Sequence, residues 1–304
     1  MEAKTVRNFI LDTDWWSDCD DAMAIRLLTM HHKQQDINLL GISISACMCD
    51  SVPSLDAFCQ QCGVQVPIGI DLDAVDFTGV TSYQQRLASL PGKHLANNEA
   101  HNAVRLYRKL LSQACGEVEI LGIGFPQNFS GLLQSPPDDI SPLSGMELIK
   151  AKVKHLWLMA GKWDEPDGGK EHNFCNNHRA SQAAALVCAN WPTEITFLGF
   201  EVGYPLISGT HIADDDPLKP VMIDHGSANG RYSWDPLLIE LAVAGDPAAW
   251  SYSCVHGTAS VNPDDGSNYF VPSADGRHRY VVKEQPDQWY ADKLDQAYCQ
   301  AYKG

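Results

Sequence analysis

Short apolar runs alternate with amphipathic stretches along most of the chain. "VRNFILD" (6–12) predicts a strand, "DDAMAIRLLTMHH" (20–32) a helix, and "INLLGISIS" (37–45) a second strand. "SVPSLDAFCQQCG" (51–63) reads as a helix stopped by Gly63, followed by the short strand "VPIGI" (66–70). Beyond a polar loop, "NEAHNAVRLYRKLLS" (98–112) predicts a helix whose apolar face carries Val104, Tyr107, Leu110 and Leu111. "VEILGIG" (118–124), "HLWLMAG" (155–161) and "EITFLGF" (194–200) read as buried strands, with helices around 125–133, 141–153 and 179–189 between them. Continuous apolar strands of this kind suit a sheet covered on both faces. "NYFVPSADGRHRYVVK" (268–283) carries an Asp-Gly turn between two alternating runs, which predicts a β-hairpin, and a last helix starts near Asp287. The expected fold is α/β: a mostly parallel, doubly wound central sheet with helices on both faces, plus a small C-terminal hairpin and helix.

A chain of 304 residues could hold one large α/β domain or two ordinary ones. With 44% hydrophobic and 20% charged residues, and Gly and Pro scattered, no segment reads as a linker or disordered tail, so one domain over 1–304 is expected. The formal net charge of −16 argues against nucleic acid, whose binding needs a basic surface to displace counterions; a small neutral or cationic ligand is easier to accept. The N-terminus "MEAKTVRNFILDTD" has no apolar stretch long enough for a signal peptide or membrane span, which predicts a cytoplasmic protein with no membrane partner.

Ten cysteines in such a chain are expected to be reduced. Cys47, Cys49, Cys59 and Cys62 form C-x-C followed by C-x-x-C and could in principle supply zinc with four thiolates. The loop between the pairs is shorter than in common zinc modules, and Cys59 and Cys62 fall on an amphipathic helix as core residues. The core reading is favoured.

One stretch resists a bland reading. "ILDTDWWSDCDDAMAI" (10–25) places Asp12, Asp14, Asp18, Asp20 and Asp21 between the first strand and the first helix, at the sheet edge where open α/β folds bind ligands. Capping the helix takes one aspartate, at most two. Five carboxylates this close must be solvated, protonated or neutralised, and a hard divalent cation held by oxygen ligands is the economical solution.

The motif D-T-D-x-x-x-D-x-D-D-A resembles the fingerprint of the inosine-uridine nucleoside hydrolases, in a variant with two extra residues before the paired aspartates. Four later segments match that family in order. "EILGIGFPQN" resembles its strand followed by Gly-Pro-Leu-Thr-Asn, "LMAGKW" its Met-Gly-Gly strand end, "GGKEHNF" its Glu-Phe-Asn segment, and "YSWDPLLIELAVAGDP" its His-Asp-Pro helix start. The resemblance implies hydrolysis of a ribonucleoside's N-glycosidic bond to free base and ribose, in nucleoside salvage, by a calcium-dependent homodimer or homotetramer. By the same resemblance the Ca2+ ligands are Asp14, Asp21, the main-chain carbonyl of Gln127, and Asp235. Asp14 doubles as general base, Asp20 contacts the ribose 2′-hydroxyl, Asp12 orients the cluster, and Glu171 with Asn173 holds the sugar's outer hydroxyls. Asp18 has no counterpart and either faces solvent or replaces Asp20.

Departures from the family pattern concern the leaving base. The histidine that protonates it in one branch is here Trp234, and an indole N–H does not titrate usefully. Relatives without such an acid stack a purine between tryptophans, and Trp234 with Trp15, Trp16 or Trp163 could build that sandwich; Trp157 and Trp191 read equally as core. The family's sugar-binding asparagine is replaced within "ACMCD", where Met48 or Asp50 is nearest, and its His-Gly loop by "TSYQQRLASLPGKH", where Tyr83 or His94 could serve. His172 and His178 read as solvent contacts, and the Asn128 sequon, in the metal loop, is discounted. Two functions remain: the hydrolase, acting on a standard or non-standard N-riboside, or a metal- and ribose-binding relative without turnover.

Overall fold

The computed structural model describes residues 6–77 and 81–303; residues 1–5, part of the N-terminal segment read above for a leader, lie outside the described residues. The first half runs β1 (Arg7–Thr13), α1 (Asp20–Lys33), β2 (Ile37–Ile44), α2 (Ser51–Gln61), β3 (Ile68–Ile70), α3 (Gln84–Ala88), β4 (His101–Asn102), α4 (Ala103–Gln113), β5 (Val118–Gly122), α5 (Gln127–Gln134) and α6 (Gly145–Lys152). It continues with β6 (Val153–Met159), α7 (His172–Cys175), α8 (His178–Asn190), β7 (Glu194–Leu198), α9 (Phe200–Gly203), β8 (Ile207–Ser208), α10 (Leu218–His225), β9 (Arg231–Tyr232) and α11 (Trp234–Ala244). The C-terminal part holds β10 (Tyr252–Val261), β11 (Asn268–Pro272), β12 (His278–Lys283) and α12 (Asp287–Lys303).

Ten strands form one sheet in the order β11-β10-β12-β7-β6-β5-β1-β2-β3-β4, and β8 pairs with β9 separately. β1 lies inside the sheet, parallel to β2 and β5, with Asp12 opposite Ser43 on one side and Gly122 on the other. Side chains alternate across the sheet as the strand period requires. Phe9, Leu11, Leu121, Trp157 and Met159 join the core under α1 and α11, with Met23, Leu27, Leu237 and Leu241. Ile10, Ile120, Leu156 and Leu158 join the opposite core, with Leu106 of α4, Phe129 of α5 and Ile149 of α6. Both faces are covered, which is why these strands read as continuous apolar runs.

The C-terminal hairpin exists, but with other partners. β11 and β12 do not pair with each other; each lies antiparallel to β10, and β12 continues parallel to β7. The alternating run Tyr252–Val261 therefore supplies the strand that the Asp275-Gly276 turn only crosses, and the hairpin proper is β10–β11. α4 starts later than its periodicity suggests, because the Asn102 side chain accepts the Arg105 N–H at 3.1 Å and caps the helix there. α6 starts at a Ser144–Glu147 capping box. Cys59 and Cys62 sit in the core, all ten cysteines are free, and the four thiols considered for zinc are not gathered as a ligand set among the described residues. Among the described residues no helix is long and apolar enough to cross a membrane.

α1 and α11 carry the two halves of the candidate site, and a half-buried pair joins them. His31 Nε2 lies 2.9 Å from Glu240 Oε1, while its Nδ1 lies 3.2 Å from Asp36 Oδ2. Burial alone would lower the histidine pKa, yet the bonds and charges of Glu240 and Asp36 raise it above its ordinary value of 6.5. A raised folded-state pKa means stability fully present below the unfolded value and lost as pH climbs through the folded one. The melting-temperature advantage of wild type over His31→Asn is therefore expected to be larger at pH 5.5 than at pH 8.5; an advantage that grows with pH contradicts this role.

Candidate active site

β1 delivers its last residues to the carboxyl edge of the sheet, and the turn after it feeds α1. Asp12 lies beneath the site: its Oδ2 accepts from Tyr107 Oη at 3.0 Å and Asn128 Nδ2 at 2.9 Å, and burial pushes its pKa up to about 8. It does not line the cavity. Trp15, at φ 46°, adopts the left-handed region that costs a bulky side chain on the order of 1–3 kcal/mol. Its N–H donates to Thr13 Oγ1 at 3.0 Å and Asp21 Oδ1 at 3.2 Å, and its indole Nε1 to Ser54 Oγ at 2.8 Å. The neighbouring β5–α5 turn comes so close that a Cβ on Gly124 would stand 2.2 Å from the Asp14 nitrogen, so only glycine fits.

The turn folds back on itself so that Asp14, Asp20 and Asp21 meet Asp235, more than two hundred residues later in the chain. All four line one cavity of about 210 Å³. Carboxylate oxygens of Asp20, Asp21 and Asp235 lie within 4.8 Å of one another, a set that includes Asp20 and leaves Asp14 at its side. Asp21 Oδ1 also accepts from Thr13 Oγ1, Asp14 Oδ1 from the Trp16 N–H at 3.1 Å, and Asp20 Oδ2 from the Asp235 N–H at 3.4 Å.

Burial drives all four carboxyl pKa values well above the usual range, and the next largest upward push on each comes from a neighbouring aspartate. Two unit charges about 4 Å apart repel by roughly 4 kcal/mol at an effective dielectric of about 20. Placement at the first turns of α1 and α11 recovers part of that through the helix dipoles, on the order of 1 kcal/mol each. The remainder requires protons or a cation. An all-oxygen, anionic, buried donor set fits a hard divalent ion.

The far wall comes from β6 and α7. Glu171 accepts from the Asn173 N–H at 2.7 Å and the Gly161 N–H at 2.9 Å, and burial pushes its pKa up to about 7. Asn173 Nδ2 donates to the Met159 carbonyl at 2.8 Å. Both line the cavity.

Among the tryptophans, Trp16 and Trp234 line the cavity and the other two candidates do not. Trp15 is fully buried against Phe58 and Tyr83. Trp163 is a correction: it packs 4.8 Å from Phe197 and stacks on Tyr280, because the aromatic cluster beside β7 and β12 draws it away. Gln127, expected to contribute its main-chain carbonyl, is not among the cavity-lining residues, and Ile123 lines the site at that strand end; the Gln127 side chain is engaged separately, its Nε2 donating to the Ser45 carbonyl at 2.9 Å. None of Met48, Asp50, Tyr83 or His94 reaches the cavity; the Tyr83 hydroxyl instead donates to the Asp18 carbonyl at 2.7 Å.

Asp18 is half-buried at the cavity and is engaged by a cationic side chain. Its carboxylate binds Arg231, with Nε at 2.8 Å and Nη2 on the other oxygen, at the cavity. His172, the first residue of α7, is exposed, yet it lines the cavity and stacks on Trp16 at 5.8 Å. His178 is exposed at the start of α8. Arg231, Phe200 and His172 were not legible as site residues. The one available signal was a cation four residues ahead of Asp235 in a strongly acidic chain.

No protein-family model matches the chain, and no curated protein matches it. Solved structures do. A purine-preferring ribonucleoside hydrolase from Gardnerella vaginalis is 16% identical, with a TM-score of 0.70 over 98% of this chain and 100% of that one. The inosine-uridine preferring nucleoside hydrolase from Bacillus anthracis is 15% identical, with a TM-score of 0.68 over 97% and 100%. The type III effector protein XopQ, complexed with adenosine diphosphate ribose, is 12% identical with a TM-score of 0.66 over 99% and 95%. The fold is therefore nucleoside hydrolase-like.

Mutual repulsion makes the cluster a source of instability that a bound cation would relieve. Asp235→Asn is expected to raise the melting temperature of chelator-treated protein by several degrees, on the scale of about 1–2 kcal/mol, and to abolish the upward shift that divalent cation gives wild type. A lower melting temperature for the metal-free variant would contradict the repulsion argument.

Proposed function

We propose that this chain is a Ca2+-dependent nucleoside hydrolase, cleaving the N-glycosidic bond of a ribonucleoside to free base and ribose. The observation that carries the reading is the meeting of the buried carboxylates of Asp14, Asp20, Asp21 and Asp235 in one cavity, where a single arginine among the described residues, Arg231, stands against the four and leaves most of their charge unbalanced. Those four residues would hold the cation, which when bound supplies a grip on a vicinal diol and a more acidic water.

The chain's own groups account for the rest. Asp14, beside the Asp20/Asp21/Asp235 set and lining the same cavity, serves as general base for the attacking water. Glu171 and Asn173, fixed by their bonds to the Gly161 and Met159 main chain, hold the sugar's outer hydroxyls. As the glycosidic bond stretches, the carboxylates stabilise the positive charge growing on the ribose better than they stabilise the neutral ground state. Trp16 and Trp234 offer the base aromatic surface.

One departure supports a second reading. Trp234 leaves the family's acid position without a titratable group, which favours a ribose-binding relative without turnover, and the structural neighbour XopQ was solved with adenosine diphosphate ribose. Incubating the protein with purine and pyrimidine ribonucleosides, with and without chelator, separates the two by the reducing sugar released. The hydrolase reading predicts chelator-sensitive release and a loss on the order of 10²–10⁴-fold in kcat for Asp14→Asn. No ribose from any nucleoside, with cation bound, leaves the binding reading standing.

A further inference from the structure

Cleavage of a nucleoside requires the base to carry away the electron pair of its bond to C1′. Trp234 cannot supply a proton for this, and its indole N–H is already donated to the Phe200 carbonyl at 2.8 Å. Arg231 lies next to it. Its guanidinium carbon stands 5.9 Å from the Trp234 ring centroid and 5.2 Å from that of Tyr232, so the cation rests against both rings. Among the described residues lining the cavity it is the one permanent cation.

The fork of Arg231 is held from one side. Asp18 takes Nε at 2.8 Å and Nη2, and no hydrogen bond from Nη1 to the protein is present among the described residues. Asp18 itself belongs to the segment that lengthens the Asp-Thr-Asp motif, so the insertion and the cation form one unit. A guanidinium stays charged at any working pH and cannot act as an acid. What it offers is a fixed, charged hydrogen-bond donor.

Resting on the hydrolase reading, we infer that Arg231 stabilises the departing base and that Asp18 is its positioning residue. The C1′–N bond breaks and its electron pair goes to the base. The water oxygen bonds to C1′ and its proton passes to Asp14. The base leaves as an anion against Arg231 and takes its proton from solvent afterwards. Because no proton is given during bond breaking, the substrates are ribonucleosides whose bases form the more stable anions, the oxo-substituted purines and pyrimidines, in preference to amino-substituted ones.

The test uses the cation-loaded full chain with ribonucleosides of graded base acidity and with 4-nitrophenyl riboside, whose leaving group departs unaided. Arg231→Met is expected to lower kcat on nucleosides on the order of 10²–10³-fold, the scale of removing one fixed charge-stabilising donor. Turnover of the nitrophenyl riboside should stay within about threefold. Arg231→Lys should recover part of the loss, and Asp18→Asn should fall between wild type and Arg231→Met. The melting-temperature shift on adding divalent cation, measured for each variant, reports an intact fold and cation site. Equal losses on both substrate types, or none on nucleosides, overturn the assignment while the hydrolase reading stands. If wild type cleaves neither substrate type, the hydrolase reading fails and the assignment with it.

Discussion

Repulsion among buried carboxylates is the constraint around which this molecule is arranged. Asp20, Asp21 and Asp235 hold oxygens within 4.8 Å of each other, with Asp14 lining the same cavity. No stable protein gathers such charge for packing, because each carboxylate pays desolvation and repulsion together. The surroundings are built to tolerate it: two helix first turns, main-chain N–H groups from Trp15, Trp16 and Asp235, and the Thr13 hydroxyl all point at these oxygens. The strained Trp15 and the obligatory Gly124 are local consequences of bringing the turn that close to the strand end.

The sheet explains why the site is where it is. β1 lies between two parallel neighbours, so its carboxyl end opens at the point where helices depart to either face. β6 ends near the same edge and places Met159 under Asn173. α11, packed against α1 and tied to it by His31 and Glu240, carries Asp235 in from the far side. The acidic half of the cavity is thus built from the end of β1 and the first turns of α1 and α11, and its aromatic half from the turn after β1 and the starts of α7, α9 and α11.

Much of this was readable from the chain because it follows from local rules. The parallel strands announced themselves as apolar runs, and the aspartate cluster announced itself as charge with no structural use. What could not be read was tertiary. β10 separates the two strands around the Asp275-Gly276 turn, and nothing local to that turn says a third strand will intervene. Trp163 and Trp16 looked alike in sequence; only the neighbours Phe197 and Tyr280 for one, and His172 and Phe77 for the other, distinguish core from cavity wall. Gln127 matched its family position through its main-chain carbonyl, yet the residue is not among those that line the cavity. Arg231 was invisible because its role depends on Asp18, more than two hundred residues away.

A crystal soaked with an anomalously scattering divalent cation reports most directly on whether these carboxylates exist to hold an ion. The account predicts one strong anomalous peak in the cavity, in contact with the carboxylates of Asp21 and Asp235. A cavity with no peak at saturating cation, or a peak elsewhere on this acidic surface only, would contradict it.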